Sequence, residues 1–66
     1  MTIYYAADRT PPGPARVVAF TERTARNGYV QDNPDHRETV TAKEAAYLCR
    51  TWHGMGLAEA LAKGVI

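Results

Sequence analysis

The first part of the chain contains short apolar segments of the length typical of strands. Residues 3–7 are Ile-Tyr-Tyr-Ala-Ala, and residues 15–23 place apolar side chains at the centre of both faces of an extended segment. Aromatic and β-branched residues in such short segments favour β-structure. Residues 8–14 contain three prolines, which lack the amide hydrogen that a sheet requires. The pattern therefore predicts two strands joined by a loop.

Asn27 and Gly28 follow the second predicted strand. Both residue types tolerate positive φ, and together they are the strongest short signal for a hairpin turn. The pattern then predicts a returning strand at residues 29–31, a further turn at 33–35 and a fourth short strand at 37–40.

A helix is the best interpretation of residues 42–53. Apolar side chains recur there at the i, i+3, i+4, i+7 spacing of a single stripe, at Ala45, Leu48, Cys49 and Trp52. Thr41 and Glu44 match the capping box S/T-x-x-E, in which each side chain accepts from the amide of the other residue. Residues 57–63 predict a second, shorter helix that Gly64 can close.

This order of elements predicts an α+β fold. We expect a small three- to four-stranded antiparallel sheet, packed on one face by the C-terminal helix, plus a short second helix. We also expect the 66 residues to form a single compact domain, 1–66. A core this small supplies roughly 3–5 kcal/mol of net stability, and a single cysteine excludes an internal disulfide.

Composition and charge narrow the classes of function. Eight basic and seven acidic residues are mixed along the chain and give a net charge of +1. A nucleic-acid-binding domain usually has a clearly basic patch, so this balance disfavours one. No apolar segment approaches the roughly 20 residues that span a bilayer, and the N-terminus lacks the regions of a signal peptide. With a lone free cysteine, these features predict a cytoplasmic protein.

Cys49 and His53 are the main candidates for chemistry. They lie four residues apart, so a helix presents them on one face as two metal ligands or as a thiol and its base. A structural zinc site usually takes four protein ligands, and His36 is the only other histidine or cysteine. A catalytic pair also needs a third orienting group and a pocket. We therefore expect no metal, no cofactor and no enzymatic activity, with Cys49 in the core.

Two resemblances keep nucleic-acid binding as the alternative function. Val-Thr-Ala-Lys-Glu-Ala-Ala-Tyr-Leu at 40–48 and Leu-Ala-Lys-Gly at 61–64 resemble the opening of excisionase-type helix-turn-helix domains. The Gly-Met-Gly turn at 54–56 departs from that pattern, and the second helix has few side chains that reach base edges. A sheet followed by a helix also resembles the arm-binding domains of phage integrases, with arginines on or near the strands at Arg16, Arg23, Arg26 and Arg37. These resemblances imply a nucleic-acid-binding or transcription-accessory module that uses the arginines of the sheet and hairpin.

The first expectation is a non-enzymatic binding protein that docks on a partner macromolecule, in the first place a protein. Its concrete form is a phage or mobile-element inhibitor of a host complex, similar in kind to anti-CRISPR proteins, with a host or self-encoded protein complex as partner and no membrane. Tyrosine and arginine dominate interface hot spots, so the predicted contact residues are Arg23, Arg26, Tyr29, Tyr47 and Arg50. The Val17 and Ala19 face of the second strand is the candidate surface for a homodimer.

Overall fold

Three strands form one antiparallel sheet in the computed structural model, which describes residues 2–66. β1 (Tyr4–Asp8) lies at the centre, between β2 (Arg16–Phe20) and β3 (Arg37–Val40). The first, second and fourth predicted strands are confirmed, the second in a shorter form.

The helices follow the strands. α1 (Arg23–Gln31) comes after β2, and α2 (Ala42–Leu48) comes after β3. α2 continues directly into a single π-helical turn, Cys49–His53, and α3 (Leu57–Ala62) follows. The expected α+β class, an antiparallel sheet with helices packed on it, is confirmed.

α1 stands where a hairpin is predicted, so the prediction of a turn at Asn27 and Gly28 and of a returning strand after it is wrong. Neither residue has the positive φ that the predicted turn requires. The partly buried residues of this helix are Arg26, Tyr29 and Val30, at the i, i+3, i+4 spacing of one face. α1 contacts all three strands, and such packing outweighs a local turn preference because tertiary context routinely overrides propensity.

One face of the sheet packs against α2, the π-helical turn and α3. The buried side chains there are mostly small, so the helices lie close to the strands. They are Tyr5, Ala7, Val17, Val40, Ala45, Cys49 and Ala60. Half-buried Leu48, Trp52 and Leu57 pack around this core.

The strand face that carries Val17 and Ala19 belongs to this core. Val17 is 1% exposed, and Ala19 packs against the same buried cluster. The protein's own helices therefore cover this face, and its assignment as a homodimer surface is wrong.

The other face of the sheet packs against α1. Ala6, fully buried at the centre of β1, alternates with Ala7 and so points to this side. Phe20 of β2 contacts Tyr29 of α1, with ring centroids 5.3 Å apart. The sheet therefore lies between two helical layers. The sequence pattern did not predict the layer that α1 forms.

Side-chain and backbone caps close both ends of the C-terminal helical layer. The Glu44 amide donates to Thr41 Oγ1 at 3.2 Å, as the capping box predicts, and the Thr41 hydroxyl donates to Glu44 Oε1 at 3.3 Å. At the far end Gly64 has a φ of 72°. Its amide donates to the Leu61 carbonyl, and the Val65 amide donates to that of Ala60, which completes a Schellman motif and confirms the predicted helix end.

The π-helical turn redirects the end of α2. Gly54 closes this turn with a φ of 70°, and its amide donates to the Cys49 carbonyl. His53 then lies beside β2, where its Nε2 accepts from the Val17 amide at 3.1 Å. Because unpaired amides at a sheet edge invite pairing with other chains, His53 protects part of the β2 edge.

Loss of the Thr41 cap should destabilise the fold measurably. We expect Thr41→Ala to lower the free energy of unfolding by about 1 kcal/mol, since it removes the acceptor for one amide of the first helical turn. Urea unfolding followed by circular dichroism measures this. Thr24→Ala, on an exposed position of α1, is the matched control and should leave stability unchanged or slightly raised. Equal losses in both variants would contradict a capping role for Thr41.

Candidate functional site

Asp8, at the end of β1, is the only buried charged residue among residues 2–66, with 5% of its surface exposed. Its Oδ1 accepts from the amide of Thr10 at 2.8 Å and from the hydroxyl of the same residue. Its Oδ2 accepts from the Tyr29 hydroxyl at 2.8 Å and from Arg37 Nε at 3.3 Å. Both carboxylate oxygens are thus fully hydrogen-bonded. We call Asp8, Thr10, Tyr29 and Arg37 the Asp8 network.

The Asp8 network determines the protonation states of its members. The Thr10 hydroxyl makes the largest contribution to holding the pKa of the Asp8 carboxyl well below its ordinary value, and Tyr29 and Arg37 add to the effect against the opposing effect of burial. Burial and the hydrogen bond to Asp8 raise the pKa of the Tyr29 phenol. Asp8 is therefore a stable carboxylate and Tyr29 a stable phenol. A carboxylate so strongly stabilised in its charged form is a poor general base.

Arg37 connects β3 to the end of α1. Its Nη1 donates to the Tyr29 carbonyl at 2.8 Å, and its guanidinium lies over the Tyr29 ring at 4.0 Å from the centroid. The connection between β1 and β2, residues 9–15, contains three prolines, and we call it the proline loop. Asn33 Nδ2 donates to Thr10 Oγ1 at 3.0 Å and so links the turn after α1 to the proline loop. These contacts hold α1 against the sheet.

An open cleft of about 490 Å³ lies beside the Asp8 network. The proline loop forms one wall through Gly13, Pro14 and Ala15, and Trp52 and His53 of the π-helical turn form another. Arg16 and Arg37 also line the cleft together with Asp8, so the two arginines exceed the carboxylates of the lining by one charge. We call it the Trp52 cleft.

Cys49 and His53 do not form a metal or catalytic pair in the described chain. Cys49 is fully buried, and burial raises the pKa of its thiol, so it stays in the unreactive protonated form. His53 uses the lone pair of Nε2 to accept from the Val17 amide. Residues 2–66 contain no group of three or more histidine, cysteine, aspartate or glutamate side chains placed to hold a metal ion.

Three of the five predicted contact residues lie on α1, but they differ in exposure. The guanidinium groups of Arg23 and Arg26 lie over the ring of Tyr4, at 5.7 and 5.5 Å from its centroid. Tyr29 points inward to Asp8. Its hydroxyl supports the fold through this bond, and its assignment as a contact residue stays a prediction.

Tyr47 and Arg50 lie on the opposite helical layer, so the structure does not unite the five predicted residues in one surface. Tyr47 is 70% exposed, the most exposed large hydrophobic side chain among residues 2–66. Arg50 follows it at the beginning of the π-helical turn and is also exposed.

A groove of about 440 Å³ runs beside Tyr47, between α2 and the β3 edge of the sheet. It is lined by Arg9, Glu38, Lys43, Glu44, Tyr47 and Leu48, and we call it the Tyr47 groove. Arg9 Nη1 and Glu38 Oε1 form a salt bridge of 2.8 Å at its rim, and the Arg9 guanidinium lies 5.2 Å from the centroid of the Trp52 ring. Arg9 and Glu38 were not among the predicted contact residues, because they are 29 residues apart and meet only through the pairing of β1 with β3.

Comparison with protein-family models, with curated proteins and with solved structures finds no match to this chain. Within residues 2–66, every helix is too short or too polar to cross a membrane.

Removal of the Asp8 charge should destabilise the protein in a pH-dependent way. We expect Asp8→Asn to lower the free energy of unfolding at about pH 7 by about 2 kcal/mol, because buried donors lose a charged acceptor. The folded pKa of Asp8 is lowered, so its stabilisation is present above the unfolded pKa of about 3.9 and is lost as the pH falls toward the folded value. The difference between the two proteins should therefore shrink below about pH 4.

Urea unfolding at several pH values measures this difference. Asp35→Asn, in an exposed turn, is the matched control and should change stability little at any pH. A constant difference between wild type and Asp8→Asn down to strongly acidic pH would contradict the assignment.

Proposed function

We propose that this chain is a small non-enzymatic binding protein that docks on a partner protein through the Tyr47 groove. The observation that carries the proposal is a 70% exposed tyrosine beside a recess, on a helix whose other side is buried in the core. Isolated exposed aromatics are ordinary on protein surfaces. An exposed aromatic that borders a groove has the shape of a docking site.

The side chains of the Tyr47 groove have the arrangement of a protein interface. Tyr47 and Leu48 form an apolar centre, and the charged lining residues surround it. Interfaces typically combine such a centre with a polar rim. Both signs of charge are present in the rim, so a partner surface with charges of both signs would be complementary to it.

The groove lies on a rigid support, which favours binding. Thr41 caps α2, and Ala45 and Cys49 anchor its inner side with no exposed surface. At the rim, the Arg9–Glu38 salt bridge links the residue that follows β1 to β3. A surface that is already ordered loses less conformational entropy when it binds.

The chemistry of the buried polar residues also supports a binding role over catalysis. Asp8 is saturated with hydrogen bonds, and the Cys49 thiol is enclosed. Neither is available to a substrate. The finer prediction, a phage or mobile-element inhibitor of a host or self-encoded complex in the cytoplasm, stays a prediction.

Nucleic-acid binding is the second candidate, and one observation favours it. The guanidinium groups of Arg23 and Arg26 both lie over the ring of Tyr4 on the α1 face, and tyrosine with arginine can stack on bases and pair with phosphates. In this alternative the basic surface comes from α1 and not from a hairpin.

Substitution at Tyr47 should abolish docking without unfolding the protein. In affinity capture from the natural host, Tyr47→Ala should lose a partner that the wild type retains, with an affinity loss of about 30-fold or more once the partner is purified. The melting temperature should not change, because the side chain is mostly exposed. Arg23→Ala, on the opposite helical layer, is the matched control and should retain the partner. Loss of the same partner by Arg23→Ala and not by Tyr47→Ala would contradict the assigned surface.

Titration against random duplex DNA separates the two candidates. If the protein docks on a partner protein, we expect it not to bind DNA at about 50 mM or about 200 mM salt. DNA binding that falls steeply between these concentrations would favour the nucleic-acid alternative. Under the nucleic-acid alternative, Arg23→Ala should weaken DNA binding and Tyr47→Ala should leave it unchanged.

A further inference from the structure

The Trp52 cleft is separate from the Tyr47 groove, with which it shares no lining residue. Its volume of about 490 Å³ is in the range of pockets that hold small molecules. Three parts of the chain build it, namely the proline loop, the end of the sheet and the π-helical turn. Arg9 of the groove also contacts the Trp52 ring, so the two recesses are tested separately with variants that leave Arg9 unchanged.

The electrostatics of the Trp52 cleft favour an anion. Arg37 is balanced by Asp8, with which it forms an ion pair of 3.3 Å. Arg16 lies directly opposite Asp8 in the register of β1 and β2, whereas the Asp8 ion pair described is made with Arg37, so the guanidinium of Arg16 keeps donors for a ligand in the cleft. The lining side chains thus carry one positive charge that no carboxylate compensates. A guanidinium presents paired donors that match carboxylate and phosphate oxygens.

His53 adds a second donor to the lining of the cleft. Its Nε2 accepts from the Val17 amide, and a neutral imidazole that accepts at one ring nitrogen carries its proton on the other. Nδ1 is therefore a hydrogen-bond donor.

Other lining residues supply apolar surface to the cleft. The half-buried indole of Trp52 forms one side, and Pro14 and Ala15 form the other. The Arg9 guanidinium lies over the indole, 5.2 Å from its centroid. An aromatic or other planar group would therefore stack on the part of the indole that lines the cleft, where offset stacking adds to the burial of apolar area.

We propose that the Trp52 cleft binds a small organic anion, with Arg16 and His53 holding its carboxylate or phosphate group and Trp52 holding a flat apolar body. The two anionic groups share the same recognition chemistry, so the probes distinguish them. The site is independent of the docking surface proposed above and can exist without it.

The experiment is a titration of the full chain followed by the indole N–H signal of Trp52 in ¹H–¹⁵N spectra. Trp52 is the only tryptophan in the sequence, so the signal is unambiguous. The probes are benzoate, phenyl phosphate, neutral benzyl alcohol and inorganic phosphate. We expect saturable shifts with benzoate, with phenyl phosphate or with both, and the stronger of the two identifies the anionic group. Benzyl alcohol and inorganic phosphate should bind at least about tenfold more weakly than the stronger aromatic anion. Benzyl alcohol lacks the anionic group, and inorganic phosphate lacks the flat apolar body.

Variants of Arg16 test the assigned contact. Arg16→Gln should lower the affinity for the probe that binds more tightly by about tenfold or more, the usual effect of losing a hydrogen bond to a charged group. Arg16→Lys should restore part of that affinity. Arg50→Gln removes an exposed arginine outside the cleft lining and should change nothing. Circular dichroism checks that each variant is folded.

Several results would overturn the proposal. They are the absence of saturation with every probe at millimolar concentration, equal binding of benzyl alcohol and the aromatic anions, and equal losses of affinity in Arg16→Gln and Arg50→Gln. Each would show that the cleft does not recognise an anion through Arg16.

Discussion

The Asp8 carboxylate is the interaction on which the arrangement of this small fold depends. It ends the central strand and accepts hydrogen bonds from the proline loop through Thr10, from α1 through Tyr29 and from β3 through Arg37. A buried charge is costly to desolvate and is by itself weak evidence of stability. Here it fixes geometry, because no other buried acceptor among residues 2–66 connects these four segments. In a chain with one cysteine and a core of mostly small side chains, that connection takes the place of a disulfide.

The Asp8 network also determines which surfaces remain for function. Because it directs Tyr29 inward, α1 lies flat on one side of the sheet, and α2 covers the other side. The outer side of α2 leaves Tyr47 exposed beside its groove. The ordered proline loop, held through Thr10 and Asn33, forms one wall of the Trp52 cleft. The Asp8 network and the Trp52 cleft thus share residues, since Asp8, Thr10 and Arg37 also line the cleft.

Local patterns in the sequence predict the parts of this fold that depend on neighbours in the chain. The central strand, the Thr41 cap, the C-terminal helices and the Gly64 helix end are of this kind. α1 was not predictable in the same way, since Asn27 and Gly28 favour a turn locally and the packing of Tyr29 on the sheet reverses that preference. The candidate sites depend on distant pairs, such as Val17 with His53, 36 residues apart. Such pairs follow from strand order and from the π-helical turn, neither of which has a sequence signature here.

The most direct test of this account is a ¹³C NMR titration of the Asp8 side-chain carboxyl in the intact protein. The account predicts that its chemical shift stays that of a carboxylate well below pH 3.8, the ordinary value for aspartate, until the protein begins to unfold. A midpoint at or above that value, in a protein that is still folded, would show that the carboxylate does not accept the hydrogen bonds described. The central role given to Asp8 would then be contradicted.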